Sequence, residues 1–314
     1  MIETRGLTKR YGKRVAVDGV SLSVRSGEIY GFLGPNGAGK TTTILMLLGI
    51  LRPDSGDARI GGERVSANNL DMRRLVGAVS ETQHLYGDLS IVEYLAFFAR
   101  LYRVDHATTR IETVLDEVGL SSRAGDRAVH LSRGLQQKLG LARALLHDPP
   151  VLILDEPVSG LDPHGIREVR EIIVQERARG RCIFLSSHVL SEIERTADRV
   201  AILHRGRLLV EDATARVREH LPGDVEVEVQ VDGPAASWLD TVLRVPGVRS
   251  ATAADETLVV AMARDPGARR ALSVGLNSAG AVIVGMRERQ TSLEDAFVTL
   301  TDESIHTLVG GAAG

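Results

Sequence analysis

The stretch EIYGFLGPNGAGKTTTILMLLG, residues 28–49, decides how the rest of the chain is read. An apolar segment runs into a glycine-rich loop and then into a helical segment stopped by Gly49. Its middle, GPNGAGKT at 34–41, fits G-x-x-x-x-G-K-[ST]. Glycines let backbone N–H groups converge on phosphate oxygens, and the helix N-terminus adds its partial positive charge. The candidate phosphate-binding residues are therefore Gly34, Asn36, Gly37, Ala38, Gly39, Lys40, Thr41 and Thr42. Lys40 is placed to neutralise the β- and γ-phosphates of ATP, and the Thr41 hydroxyl to ligate Mg²⁺.

The bulk composition bounds the alternatives. With 314 residues, 43% of them apolar, the chain has room for one large domain and a smaller one. Lys and Arg number 38 against 41 Asp and Glu, a net charge of -3 with no long single-sign block, which argues against nucleic acid as a partner. Cys182 is the only cysteine, so no internal disulfide forms, and its place in the apolar run CIFL reads as a buried small hydrophobe. No export signal opens the sequence. The longest apolar run, ILMLLGIL, falls far short of the roughly 20 residues a spanning helix needs. Any membrane role is expected to come through a partner.

Along the first 218 residues short apolar strands alternate with helical stretches, the pattern of an α/β domain with a largely parallel sheet. Candidate strands are EIYGFLG, RLVGAVS, VLILDE and CIFLSS. Between about 85 and 149 the pattern turns helical and reads as an inserted helical subdomain. After HLPGD the character changes: VEVEVQV alternates strictly, with valines on one face and Glu226, Glu228 and Gln230 on the other. Residues 222–302 read as β-α-β-β-α-β, a small α+β ferredoxin-like domain, closed by a short helix at SLEDAFVTL and a tail at 303–314. The expected fold is thus a P-loop α/β nucleotide-binding domain with a helical subdomain, followed by that accessory domain.

VLILDEP is a buried strand running into two acids. Carboxylates at the carboxyl end of a central parallel strand lie where such sheets bind ligands. Asp155 is placed to hold Mg²⁺ and Glu156 to act as general base on the attacking water. His188 follows CIFLSS in the same way, at the same edge of the sheet, within reach of a γ-phosphate. Asp162, in SGLDPHG, is a good helix N-cap ahead of Pro163, and capping is compatible with a second role at a subunit contact. LSRGLQQKL, residues 131–139, reads as a helix start capped by Ser132, equally suited to face a phosphate.

In order, the phosphate loop, the segment after VGAVSET, LSRGL, VLILDE with SGLD, and His188 resemble the ATP-binding subunits of ABC transporters. The likeness is to the bacterial daunorubicin-resistance and antibiotic-export type, with its closing SLEDAF-like segment. The resemblance implies two nucleotide domains pairing head to tail, a homodimer here, with Ser132 and Gly134 of one copy closing on ATP held by the other. The usual signature is Leu-Ser-Gly-Gly-Gln; Arg133 and Leu135 depart from it. Glu81 stands where the family has a Gln that touches Mg²⁺, and Gln83 is the weaker substitute. Tyr11 stands where an aromatic ring covers adenine. The family also places a docking site for a short helix of a polytopic permease near Tyr86, Tyr94, Phe97, Phe98 and Tyr102, beside their packing role. The resemblance implies an ATPase at the cytoplasmic face of the membrane, energising export of drugs, antibiotics or lipid-like compounds. Rival readings are an ABC importer ATPase and a soluble ABC ATPase acting on ribosomes or DNA.

Overall fold

The structure is a computed structural model that describes residues 1–83, 85–217, 224–263 and 265–288. The chain divides into two compact units, Met1–Val217 and Arg218–Gly314.

The first unit opens with β1 (Ile2–Tyr11) and β2 (Arg14–Val24), then β3 (Ile29–Leu33) and α1 (Lys40–Leu47). Next come β4 (Ser55–Ile60), β5 (Glu63–Arg64), α2 (Leu70–Arg74) and β6 (Val76–Val79). Three helices follow, α3 (Ile91–Tyr102), α4 (Ala107–Glu117) and α5 (Arg133–Leu145). The unit closes with β7 (Val151–Leu154), α6 (Pro163–Ala178), β8 (Cys182–Ser187), α7 (Leu190–Glu194), β9 (Arg199–His204) and β10 (Arg207–Ala213).

Two sheets form. One has the order β2-β1-β4-β5 and is antiparallel throughout. The other has the order β10-β9-β3-β8-β7-β6, parallel except at the β9–β10 edge. In its centre every residue of β3, β7 and β8 is buried, as expected where both faces of a parallel sheet are covered. Between the layers Phe184 stacks on Tyr30 and tilts against Phe32, with ring centroids 5.7 and 5.2 Å apart. Each such ring contributes about 1.5–3 kcal/mol by leaving water. Cys182 is fully buried there, and burial pushes its thiol up to about 12, so it packs as a hydrophobe.

The strand order fixes the site. β3, β8 and β7 are neighbours running the same way, so the segments that follow them emerge side by side: the loop at 34–39, His188, and Asp155–Glu156. This is the edge at which open α/β sheets bind ligands.

Helices α3 to α5 form the helical part. α3 starts at Ser90 with a reciprocal capping box, the Ser90 Oγ accepting from the Glu93 amide and the Glu93 carboxylate from the Ser90 amide. At the opposite end of the sheet an ion network joins this part to β7 and β8. Glu176, with its side chain only 2% exposed, accepts from Arg179 and Arg181, both at 2.5 Å. Arg181 also pairs with Asp148, and Arg179 reaches Glu117 at the end of α4 at 2.7 Å. Hydrogen bonding from Arg181 holds the Asp148 carboxyl below the usual carboxylate range.

The second unit contains β11 (Asp224–Val231), α8 (Leu239–Leu243), β12 (Val248–Ala254), β13 (Thr257–Ala263), α9 (Pro266–Ser278) and β14 (Ile283–Glu288). Its four strands form one antiparallel sheet in the order β12-β13-β11-β14. The alternation of VEVEVQV becomes burial: Val225, Val227, Val229 and Val231 are inside, packed with Leu258, Val260, Leu272 and Leu276. The expected helix at SLEDAFVTL and the tail at 303–314 lie outside the described residues.

Replacing Glu176 by Ala leaves the Arg181 charge in a buried place with one fewer partner. Urea unfolding should lose about 3 kcal/mol with an unchanged denaturant slope; a loss under about 1 kcal/mol would mean that the network contributes little.

Candidate nucleotide site

A cleft of about 520 Å³ opens over the loop that leaves β3. Asn36, Gly37, Gly39, Lys40, Thr41 and Thr42 line its floor. Gly39 precedes the first turn of α1 and gives it no side-chain cap, so the turn's free amides face the cleft without a built-in acceptor. The glycines are required by geometry. Gly39 has a φ of 112°, and a Cβ there would stand 2.4 Å from the Ala16 carbonyl oxygen. A Cβ at Gly34 would meet the Leu203 carbonyl at 2.5 Å. Ala38 turns inward, its amide donating to the Pro35 carbonyl at 3.1 Å.

Lys40 is buried, and its Nζ donates to the Gly34 carbonyl at 2.6 Å and lies 3.2 Å from Glu156 Oε1. The other carboxylate oxygen of Glu156 is 2.8 Å from His188 Nδ1 and accepts from the His188 amide at 3.3 Å. Lysine, glutamate and histidine thus form one chain across the ends of β3, β7 and β8. Glu156 has a φ of 49°, a left-handed conformation that costs a non-glycine residue about 1–3 kcal/mol and is held by its surroundings. Ser186 is one of those: its Oγ accepts from the Glu156 amide at 2.9 Å, and its O–H donates to Asp155 Oδ1 at 2.6 Å. Asp155 itself is buried.

At the rim, Tyr11, half exposed, lines the cleft together with Arg14, Glu81 and Ser159. Arg14 donates to the Gly37 carbonyl at 3.1 Å. Glu81 faces the cleft, whereas Gln83 is used in packing: a Cβ at Gly140 of α5 would strike its Oε1 at 2.6 Å. Ser132, Gly134 and Asp162 are not among the residues that line the cleft. Ser132 caps α5, its Oγ accepting from the Leu135 amide at 3.5 Å, and Asp162 caps α6 by accepting from Gly165 at 3.1 Å. A single copy therefore brings together the residues after β3, β7 and β8 with Tyr11 and Glu81, and leaves the two capping motifs outside.

Arg14, Ser159 and Ser186 escape a reading of the sequence. Nothing in their local pattern marks them; only the order of the strands does.

The donor set fits a magnesium nucleotide. Among the described residues no group of three or more His, Cys, Asp or Glu is arranged to hold a metal. Mg²⁺ in such sites commonly rests on one or two protein oxygens plus substrate phosphates; Thr41 and Glu81 line the cleft, while Asp155 is buried beside Glu156 and does not line it.

Comparison with known proteins agrees with this geometry. The family model described as ABC transporter matches residues 17–159. A bacitracin transport ATP-binding protein of Bacillus licheniformis is 46% identical over 212 residues, covering 67% of this chain and 69% of that protein. A Nod factor export ATP-binding protein of Rhizobium sp. (strain N33) is 36% identical over 303 residues, 96% of each. The linearmycin resistance ATP-binding protein of Bacillus subtilis (strain 168) is 33% identical over 80% of this chain and 82% of its own. Among solved structures, one titled as the ATP binding subunit of an ABC transporter superposes with a TM-score of 0.64 at 33% identity, covering 70% of this chain and 92% of that one. An ATP-binding cassette in its ADP conformation, 21% identical, shares the fold at the same TM-score. On a phosphate cradle, an acid pair and a histidine held together by three adjacent strands, and on these relatives, the chain belongs to the ATP-binding, ATP-hydrolysing subunits of ABC transporters.

Proposed function

We propose that this subunit energises an ABC exporter of drugs, antibiotics or lipid-like compounds, and that the Lys40–Glu156–His188 chain is its hydrolytic centre. The observation that carries the reading is the buried Lys40–Glu156 contact, which ties the phosphate loop to the general base.

Lys40 has one ammonium, and two partners compete for it. Its Nζ lies against Glu156 and the Gly34 carbonyl, and phosphates bound in the cradle compete with Glu156 for the same ammonium. Glu156 orients the attacking water and takes its proton, and His188 holds the carboxylate in place and faces the γ-phosphate. The amides at Gly37, Gly39, Lys40, Thr41 and Thr42 bind the phosphates, and Tyr11 covers the base. Thr41, Asp155 and Glu81 hold Mg²⁺, which when bound offsets charge on the phosphates. Glu81 brings a carboxylate where the resembled family has an amide, a stronger ligand for the same ion.

Ser132, Gly134 and Asp162 act in a second copy. None of them lines the cleft of its own chain, which supports a pair in which each signature turn closes on ATP held by the partner. No described helix is long and apolar enough to cross a membrane, and we place the protein at the cytoplasmic face, docked on a polytopic permease. The aromatic cluster on α3 supports this. Tyr94 is wholly buried and bonded by Arg143 at 3.1 Å, so it packs; Tyr86, Phe97 and Tyr102 remain exposed around it. Next to them a groove of about 1110 Å³ lies between α2, α3 and α5, with Ile50, Leu70 and Leu101 at its surface. An amphipathic helix of the permease suits that groove. The second unit, with its β-α-β-β-α-β order and sheet order β12-β13-β11-β14, is read as a ferredoxin-like accessory domain. Of the relatives reported above, one is named for Nod factor export, one for bacitracin transport and one for linearmycin resistance, which supports the exporter reading.

Glu156→Gln should cut ATP turnover by about 10²–10⁴-fold while ATP binds at least as tightly, because the lysine loses its competing carboxylate. Turnover above a tenth of the parent's rate would remove Glu156 from the role. Tyr86→Ser with Phe97→Ser should lower the permease recovered with the purified protein by about tenfold at unchanged ATP binding. Equal recovery would move docking elsewhere.

A further inference from the structure

The signature of this chain departs from the usual one at Arg133, and the structure gives that residue a specific seat. Arg133 is the first residue of α5, directly after the cap Ser132. Its guanidinium lies over Gly160, in the loop between β7 and α6 that carries Glu156 at one end and Asp162 at the other. A Cβ built at Gly160 would stand 2.7 Å from Arg133 Cζ, 2.9 Å from Nη1 and 3.1 Å from Nε. The carbon being nearer than both nitrogens, the bare Cα faces the flat of the guanidinium rather than its edge. Gly160 has a φ of 69°, so the loop's own backbone also favours glycine there. Arg133 is exposed, and among the described residues its nitrogens make no hydrogen bond or ion pair. Planar packing is therefore what the contact offers.

We propose that Arg133 is a positioning residue: it lays its guanidinium on Gly160 and fastens the start of the signature helix to the 159–162 loop. The two segments then close on the other copy's nucleotide as one block. Turn hydrogen bonds carry the constraint onward, from Leu161 to Val158 at 3.3 Å and from Ser159 to Glu156 at 3.1 Å, so the loop that Arg133 braces is the one that holds the general base. The Arg133 side chain replaces, by packing, the close backbone approach that a glycine at this place would allow. Lysine cannot substitute, because an ammonium on a flexible stem has no flat face.

This proposal rests on the pairing reading above, and a double-substitution cycle separates the two. The full-length Glu156→Gln protein is titrated with MgATP, and the protein concentration for half-pairing is read by sedimentation. Arg133→Ala should raise it about tenfold, with nucleotide affinity measured at concentrations too low for pairing held within about twofold. Gly160→Ala should raise it as well, since its Cβ displaces the guanidinium. When Arg133→Ala is already present, the Gly160→Ala effect should shrink to the backbone penalty alone, about twofold. Arg133→Lys should behave as Arg133→Ala. With Glu156 intact, Arg133→Ala should lower kcat at low protein concentration at an unchanged KM for ATP, with recovery at high concentration. Full rescue by lysine would assign Arg133 a charge-dependent role and overturn the proposal, as would multiplicative effects of the two substitutions or a neutral Arg133→Ala. If the Glu156→Gln parent fails to pair with MgATP, the pairing reading itself falls and takes this proposal with it.

Discussion

One buried contact organises this molecule: the Lys40 ammonium against the Glu156 carboxylate. Two opposite charges taken out of water are tolerated only with good geometry and further hydrogen bonds. Here Gly34 accepts from the lysine, and His188 donates to the glutamate through its backbone amide. The pair spans the ends of β3 and β7 with β8 between them, so it exists only if those three strands run parallel and in that order. On the function proposed above, a phosphate bound in the cradle competes with the carboxylate for the same lysine.

The remaining architecture keeps that contact in register. Fully buried strands fix the height at which the loop, the acids and the histidine emerge, and the Tyr30–Phe184–Phe32 stack leaves the strands little room to slide. At the other end of the sheet the Arg181–Glu176–Arg179–Glu117 network ties the helical part to α6 and β8. Arg110 of α4 adds hydrogen bonds to the Leu145 and Leu146 carbonyls at the C-terminal end of α5, whose start carries the signature. At its start, Arg133 lies over Gly160 of the β7–α6 loop.

What could be read in the sequence is what is local. GPNGAGKT, VLILDEP and SGLDP each hold their chemistry within a few consecutive residues, and the valine alternation of β11 carries its own burial pattern. The antiparallel β1–β2 pair was not legible in this way, because register shifts at Thr4, Leu7 and Lys9 interrupt its alternation. Ser186 was not legible either. It is one of two serines at the end of a buried strand, and only its neighbourhood with Asp155 and Glu156, about 30 residues away in sequence, gives it work. The resemblance to the family offered Glu81, and less strongly Gln83, for one role; Glu81 lines the cleft and Gln83 lies against Gly140. Arg133 read as a departure from a pattern; its partner Gly160 lies in another loop that no local reading connects to it.

The signature turn does not line the cleft of its own chain, so the active unit proposed here is a pair. Its most direct test is the ATPase rate per chain of the purified full-length protein as a function of its concentration, at saturating MgATP. Pairing predicts a rate per chain that rises with concentration toward a plateau, the total rate approaching second order in protein at the dilute end. A rate per chain that stays constant over a hundredfold dilution, while the sedimenting mass remains that of one copy, would contradict it.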